Sequence, residues 1–393
     1  MDNIKFSKAR QLTPSNGFHH FFGYYSISPW NASGRYFACL ETDFHDHLPK
    51  HGEKARILLL DLKEGTNRVV TETMGWNFQQ GTMLHWLPSD AERKIIFNDC
   101  DDDGAFSRIV DVETGDSRRL PRPINGVAKT RDLALCVNFT RLRKFRKVTS
   151  LPVSKDYSKG GPHPDDDGIF VMDLKTGELD LIVTLDQIWK ANPNTTLLDD
   201  EIFRELGEGL WFNHVVFNPS ATRLHFLARF RNMFSGLVTS LWTVNTDGSD
   251  PHLLVDFYHH LSHFEWVDDE NIIVTMEWPE RKMHHVSIVD KQDESHWKII
   301  AGDVLTRNGH PTVNLDKKLM ATDTYIVDGK RHVYIMERDT EKVHEVHSFD
   351  NPPMYDGEIR CDPHPRWSRD GKQLSFDGLG ENGRQVYILD ADY

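Results

Sequence analysis

The stretch HPRWSRDGKQLSFDG, residues His364–Gly378, decides the fold. It opens as a short strand ending on Trp367, crosses a polar turn, Ser368–Gly371, and continues as an apolar strand. The same unit recurs as HVVFNPSATRLHFLARF from His214, HFEWVDDENIIVTMEW from His263 and HPTVNLDKKLMATDTY from His310. Weaker copies are YYSISPWNASGRYFACLET from Tyr24, MLHWLPSDAERKIIFND from Met83 and INGVAKTRDLALCVNF from Ile124. A third strand follows each copy, and often a turn and a fourth, as in ILLLDLKEGTNRVV and FVMDLKTGELDLIV, with Asp and Gly where a hairpin needs positive φ. Seven such units in 393 residues match an all-β fold, a seven-bladed β-propeller. The last unit ends at Tyr393 one strand short. The alternating FSKARQL near the N-terminus is placed to supply that strand, so 1–393 reads as a single ring closed by both ends of the chain. The alternative arrangement is two stacked β domains.

Two insertions interrupt the repeat. Arg141–Asp167 is basic and then rich in Gly, Pro and Asp, and Asp186–Gly209 carries the best helical pattern, around Asp186–Leu206. Both read as surface loops, and the basic run Arg141–Lys147 (RLRKFRK) reads as a solvated loop rather than a grip on an acidic ligand.

The composition, 38% hydrophobic and 27% charged, is that of a folded globular chain. A net charge of −14 repels phosphate backbones and anionic membrane surfaces, which argues against nucleic acid or membrane as partner. The four cysteines are widely separated and imply no disulfide framework, the N-terminus has no signal-like apolar run, and no stretch reaches the length of a membrane span. The expected compartment is the cytoplasm.

The anomaly is 21 histidines. His214, His263, His310 and His364 open the first strand of four successive units, at spacings of 49, 47 and 54. In a propeller that strand is innermost, so residues at one offset converge on the central channel. Asp362 and His364 are at i and i+2 and share one face of an extended strand. With His310 from the neighbouring blade they offer three ligands to Mn, Fe or Zn and leave positions open; the other reading is a hydrogen-bonded Asp–His pair without metal. Asn213, Glu358, Arg360 and Arg366 lie beside the same ring. On the opposite arc, HHFFGYYSISPW (with His20 and Tyr24) and WNFQQGTMLHW (with Trp76, Gln79 and Gln80) combine flat apolar faces with polar groups suited to sugars. Trp86, Trp266 and Trp367 recur at one offset and read as core, while Trp76 stands outside that pattern.

The segments SHFEW (262–266), NGHPTVNLD (308–316) and DPHPRWSRDGKQLSFDG (362–378) resemble the oligogalacturonate lyases, propellers of the TolB-like kind that cleave pectin oligosaccharides by β-elimination with a divalent metal, typically manganese. The resemblance implies metal ligation at His310 and His364, places a metal histidine of the family on Asp362 and a metal glutamine on Ile359, and puts catalytic histidines on His214 and His263. Asp362 keeps a ligating group; Ile359 cannot ligate. The implied cofactor is Mn2+, with Zn2+, Fe2+ or Ca2+ as alternatives, and the implied partner is a small acidic oligosaccharide. On this reading the metal neutralises a uronate carboxylate, Arg360 or Arg366 adds a bidentate contact, and His263 or His214 removes the C5 proton. Two other functions remain open. A glycoside hydrolase needs two flanking carboxylates, for which Glu265, Glu358 and Asp362 are available, and a non-catalytic sugar-binding propeller fits the aromatic arc but leaves the histidine ring unexplained.

Overall fold

Each repeat folds as one four-stranded antiparallel sheet because its central strands are apolar on both faces and must be covered on both; Leu319–Asp323, for example, is buried throughout. Placing such sheets side by side around an axis supplies that cover. The computed structural model describes residues 4–153, 155, 160–193, 207–232 and 236–393 and forms a seven-bladed β-propeller. The innermost strands, in chain order, are His19–Phe21, His85–Trp86, Gly126–Val127, Trp211–Phe217, His263–Trp266, Thr312–Val313 and Arg366–Trp367. In the seventh blade Gly383–Asp392 receives Lys5–Phe6 and Arg10–Gln11 as antiparallel partners, Lys5 opposite Asp392 and Gln11 opposite Tyr387. Both ends of the chain therefore lie in one sheet.

The recurrent tryptophans join neighbouring blades. Trp86, Trp266 and Trp367 are buried, and each indole N–H donates to a backbone carbonyl of the preceding blade: Pro29 at 2.8 Å, Val216 at 3.4 Å and Thr312 at 3.4 Å. Apolar clusters span the same seams, as where Leu319, Ala321, Val333 and Ile335 of the sixth blade meet Trp367, Leu374 and Phe376 of the seventh.

The first blade departs from the pattern expected of it. Its inner strand is His19–Phe21, paired with Leu40–Thr42, and the chain from Gly23 to Pro29 leaves the sheet before Trp30 rejoins it opposite Phe37. The Asp377 carboxylate accepts the backbone N–H groups of Phe22 and Gly23 and turns the chain inward. Gly23 (φ +95°) and Gly81 (φ +56°) then pass backbone to backbone, so that a Cβ on Gly23 would lie 2.3 Å from the Gly81 nitrogen. Those two glycines are why HHFFGYY and WNFQQG occur together. The excursion delivers Tyr24 and Tyr25 into the channel, where they pack with Met83 and Ile124.

The described parts of the two insertions include helices. Phe139–Phe145 is a helix capped by Asn138, with Leu142 and Phe145 in the core. Arg141 is buried and donates to the carbonyls of Leu210 and Pro162 at 2.7 and 2.6 Å. The basic run is thus a packed element rather than a solvated loop. Leu185–Ala191 is helical with a Thr184–Gln187 capping box; residues 194–206 of the expected helix lie outside the described residues. All four cysteines are free and buried, and among the described residues no helix is long and apolar enough to cross a membrane.

Some histidines are simply core. Burial holds His285 at about 4 and His85 at about 3, and pushes His225, stacked on Trp266 at 5.2 Å, well below the usual imidazole value. An unfolded chain protonates these groups near pH 6.5 while the folded chain does not, so the unfolded state binds more protons in that window. Stability should therefore fall as pH drops from about 6.5 towards 4, by about 1.4 kcal/mol per group per pH unit. Thermal melts across that range check this, and a flat profile contradicts it.

Candidate functional site: a histidine ring with a metal-ligand triad

Four inner-strand segments aim histidines at one another. His263 opens its strand; His310 and His364 each stand two residues ahead of theirs. His214 sits in a bulge, where the register shifts between Asn213 and Val216, and Asn125 of the preceding blade holds it by accepting the Val215 N–H at 2.7 Å. His214 and His364 have left-handed backbones (φ 53° and 48°), a conformation that costs energy and redirects their side chains.

The rings meet. His310 Nε2 lies 3.1 Å from His364 Nε2, and the rings of His263 and His310 are 3.8 Å apart. Tyr25 lies against His310, His364 and His263, at 5.1, 6.0 and 6.1 Å between centroids. The Tyr24 hydroxyl bonds His214 Nδ1 at 2.8 Å. The plug from the first blade therefore contacts all four histidines.

Ligand atoms of His310, Asp362 and His364 all lie within 4.8 Å of one another, and all three residues are buried; no other such cluster occurs among the described residues. Asp323 organises it. Its carboxylate accepts the backbone N–H groups of His310 and His364, each at 2.8 Å, and the His310 Nδ1–H at 2.8 Å, which leaves the His310 Nε2 lone pair free. Two donors in cis positions on one cation at about 2.1 Å lie about 3 Å apart, close to the 3.1 Å between the two Nε2 atoms. His364 Nδ1 is buried without a partner, so its proton has nowhere better to sit than on that nitrogen when Nε2 ligates. The residues fit a divalent cation. Asp362 is the weaker of the three: Arg331 Nη1 and Arg360 Nε hold its oxygens at 2.5 and 2.7 Å. Burial alone raises the Asp362 carboxyl, but these two guanidiniums outweigh it and keep it below the usual carboxylate range.

His263 is set up differently. Asn308 donates its amide N–H to Ser262 Oγ at 3.0 Å, which fixes Oδ1 towards His263 Nδ1, also at 3.0 Å. Nδ1 therefore carries the proton and Nε2 the lone pair, 3.5 Å from the Tyr325 hydroxyl. Burial pushes His214, His263 and His364 well below the usual imidazole value, so all three are neutral near pH 7.

Cations border the ring. Arg229 is buried in the apolar strand Arg223–Asn232; its Nε donates to Thr239 at 3.1 Å, and no described carboxylate pairs with it. Burial, and then the charge of Arg146, lowers it to about 9. Arg146, at the end of the Phe139–Phe145 helix, is likewise without a described ion-pair partner, its Nε is buried and unbonded, and its charge reaches Arg229, Arg360 and His214. Two unpaired guanidiniums beside neutral imidazoles give this part of the ring a local positive charge.

The remaining candidates divide. Gln79 supports the site by donating to the Arg360 carbonyl at 2.8 Å. The amides of Asn213 and Gln80 are buried with no protein partner. His20 is locked between Glu41 and Gln385, at 3.0 and 2.9 Å, and Trp76 is fully buried among Phe21, Phe44 and Phe78, so neither presents a face to a ligand. Arg366 is spent on Asp377 at 2.7 Å, and Glu358 is exposed on the turn Gly357–Ile359. The hydrolase carboxylates are scattered: Asp362 is held by two arginines, Glu358 is exposed, and Glu265 is buried, its nearest cation Lys129 at 4.0 Å. Asp323, Asn308, Tyr25, Tyr325, Arg331 and Arg229 were outside the residues singled out from sequence. Asp323 had a readable signal, since an aspartate follows the histidine by 13 residues in both His310–Asp323 and His364–Asp377.

The fold and ring define a class, a seven-bladed propeller with a plugged, histidine-lined channel. The oligogalacturonate lyase of Vibrio parahaemolyticus superposes with a TM-score of 0.65 over 99% of this chain and 96% of its own, at 15% identity. An oligogalacturonate lyase in complex with manganese gives 0.68 with the same coverage and identity. The β-propeller domain of the Trilobed protease from Pyrococcus furiosus gives 0.53 at 11% identity, over 94% and 97% of the two chains. These likenesses establish the shared propeller. No protein-family profile matches the sequence, and no curated protein matches it.

Proposed function

We propose that this chain is a metal-dependent lyase that cleaves a uronic-acid-containing oligosaccharide by β-elimination, with Mn2+ as the ion and the cytoplasm as its compartment. The observation that carries the reading is the juxtaposition of a two-imidazole, one-carboxylate ligand set with unpaired Arg229 and Arg146 and a neutral, oriented His263. It resolves the conflict between an anionic substrate and a chain of net charge −14, because the ring is locally positive.

Arg229 and Arg146 bind the uronate carboxylate. His310, His364 and Asp362 would hold a divalent ion, which when bound would supply Lewis-acid charge that increases the acidity of the C5 proton, α to that carboxylate. His263 Nε2 accepts the C5 proton, the C–H electron pair becomes the C4–C5 double bond, and the C4–O bond breaks with its electrons leaving on oxygen, which takes a proton from solvent water while His263 returns its own to solvent. Asn308 keeps His263 in the accepting tautomer throughout.

Absorbance from the new C4–C5 double bond tests the reaction directly; new reducing ends without it would mean hydrolysis. Arg229→Met should lower kcat/KM on an oligouronide about 10- to 100-fold through KM, the effect of one charge-assisted contact, while bound metal is unchanged. An unchanged KM would remove Arg229 from the carboxylate site.

A further inference from the structure

A cavity of about 780 Å3, lined by none of the ring residues, opens between the sixth, seventh and first blades. Its volume is that of a small-molecule site. His347 of the sixth blade, Tyr387 and the hairpin Gly380–Gly383 of the seventh, His19 and His45 of the first, and Tyr355 of the connection to the seventh form its walls.

The walls are fixed in advance of any ligand. His19 and His45 stack at 3.8 Å with 10° between planes, and the Tyr355 hydroxyl bonds His45 Nδ1 at 2.5 Å. Gly383 permits that stack, because a Cβ there would lie 2.6 Å from His19 Nδ1. Tyr387 stacks on His347 at 5.4 Å. Burial lowers all three imidazoles, His19 to about 4, so each is neutral near pH 7 and adds a flat, uncharged ring to the wall. The full charges among the lining residues are Glu381, exposed, and Asp350, 3.7 Å from Lys330. Arg384, next to Gly383, is buried behind the wall: it donates to the carbonyls of Ile359 and Arg360, its guanidinium lies 5.4 Å from the Tyr355 ring centroid, and its charge helps to lower His19 and His45. No lysine or arginine lines the cavity to pair directly with an anion, and Glu381 at its mouth would repel one.

We propose that this cavity is a second carbohydrate site that takes a neutral pyranose. Flat rings cover the C–H face of such a sugar, and neutral imidazoles and tyrosine hydroxyls meet its hydroxyl edge. The ring selects an acid and the cavity a neutral unit. The proposal concerns binding alone and does not rest on the elimination chemistry.

Saturation-transfer NMR on the full chain, with methyl glycosides of neutral hexoses and methyl galacturonide as the charged comparator, tests it. At least one neutral glycoside should receive saturation. Asn382→Trp, at an exposed hairpin position, should weaken that binding about tenfold by filling the mouth, with an unchanged thermal melt and an unchanged galacturonide signal. Tyr355→Phe, which frees His45, should weaken it less. Absence of binding by every neutral glycoside, binding untouched by Asn382→Trp, or displacement of the neutral sugar by methyl galacturonide would each overturn the proposal.

Discussion

His310→Ala is expected to abolish elimination and bound divalent metal together. His310 is the ligand whose geometry is most completely prescribed: Asp323 holds its backbone N–H and its Nδ1–H, and its Nε2 faces His364 Nε2 across 3.1 Å. Truncation removes one of two nitrogen donors and leaves Asp362, already shared between Arg331 and Arg360, to compete for the ion. Asp323→Asn is the graded counterpart. It keeps one acceptor oxygen but loses the charge that sets the imidazole and turns an amide N–H towards one of the N–H groups that Asp323 accepts, so it should weaken metal affinity about 10- to 100-fold and also lower the thermal melt. Metal content by elemental analysis reads both variants. A His310→Ala protein that keeps its metal and its activity would remove the triad from the mechanism.

His263→Ala should lower kcat about 100- to 10,000-fold, the range that a positioned general base supplies, with KM and metal content nearly unchanged. The separation of readouts is what distinguishes it from His310. His263 contacts the His310 ring but is oriented by Asn308, not by Asp323, and its Nε2 faces Tyr325. Asn308→Ala should lose part of the same kcat by releasing the tautomer. If His263→Ala keeps wild-type kcat, the base is elsewhere, and His214, which bonds the Tyr24 hydroxyl, is the next to test.

Much of this was legible in the repeat. One unit read at His364–Gly378 locates six others, because a propeller blade must bury its central strands and therefore repeats its apolar pattern and its turns. The same alignment places four histidines at one offset, and the structure brings His263, His310 and His364 ring to ring, with His214 tied in through the Tyr24 hydroxyl. What escaped the reading has physical causes. The segment Gly23–Pro29 is apolar enough to be a strand, but its tyrosines are buried by plugging the channel, a long-range solution that local pattern does not encode. Trp76 and His20 have the right chemistry for a sugar site, and side-chain direction alone assigns them to the interior. Arg229 lies in a strand of Leu, Phe and Ala, where only a charge out of place hints at a role, and whether it is unpaired is decided by what the fold leaves next to it. The run around Arg146 looked like a solvated loop because charge density suggests solvent; Leu142 and Phe145 instead anchor it as a helix that turns Arg146 towards Arg229.

The most direct test of the central claim is the ultraviolet absorbance of the full chain acting on an oligogalacturonide after chelation and stepwise return of Mn2+. The account predicts that chelator extinguishes formation of the C4–C5 double bond and that activity returns in proportion to added Mn2+, saturating at about one ion per chain. Double-bond formation that persists undiminished in chelator, or none at any Mn2+ concentration, would contradict it.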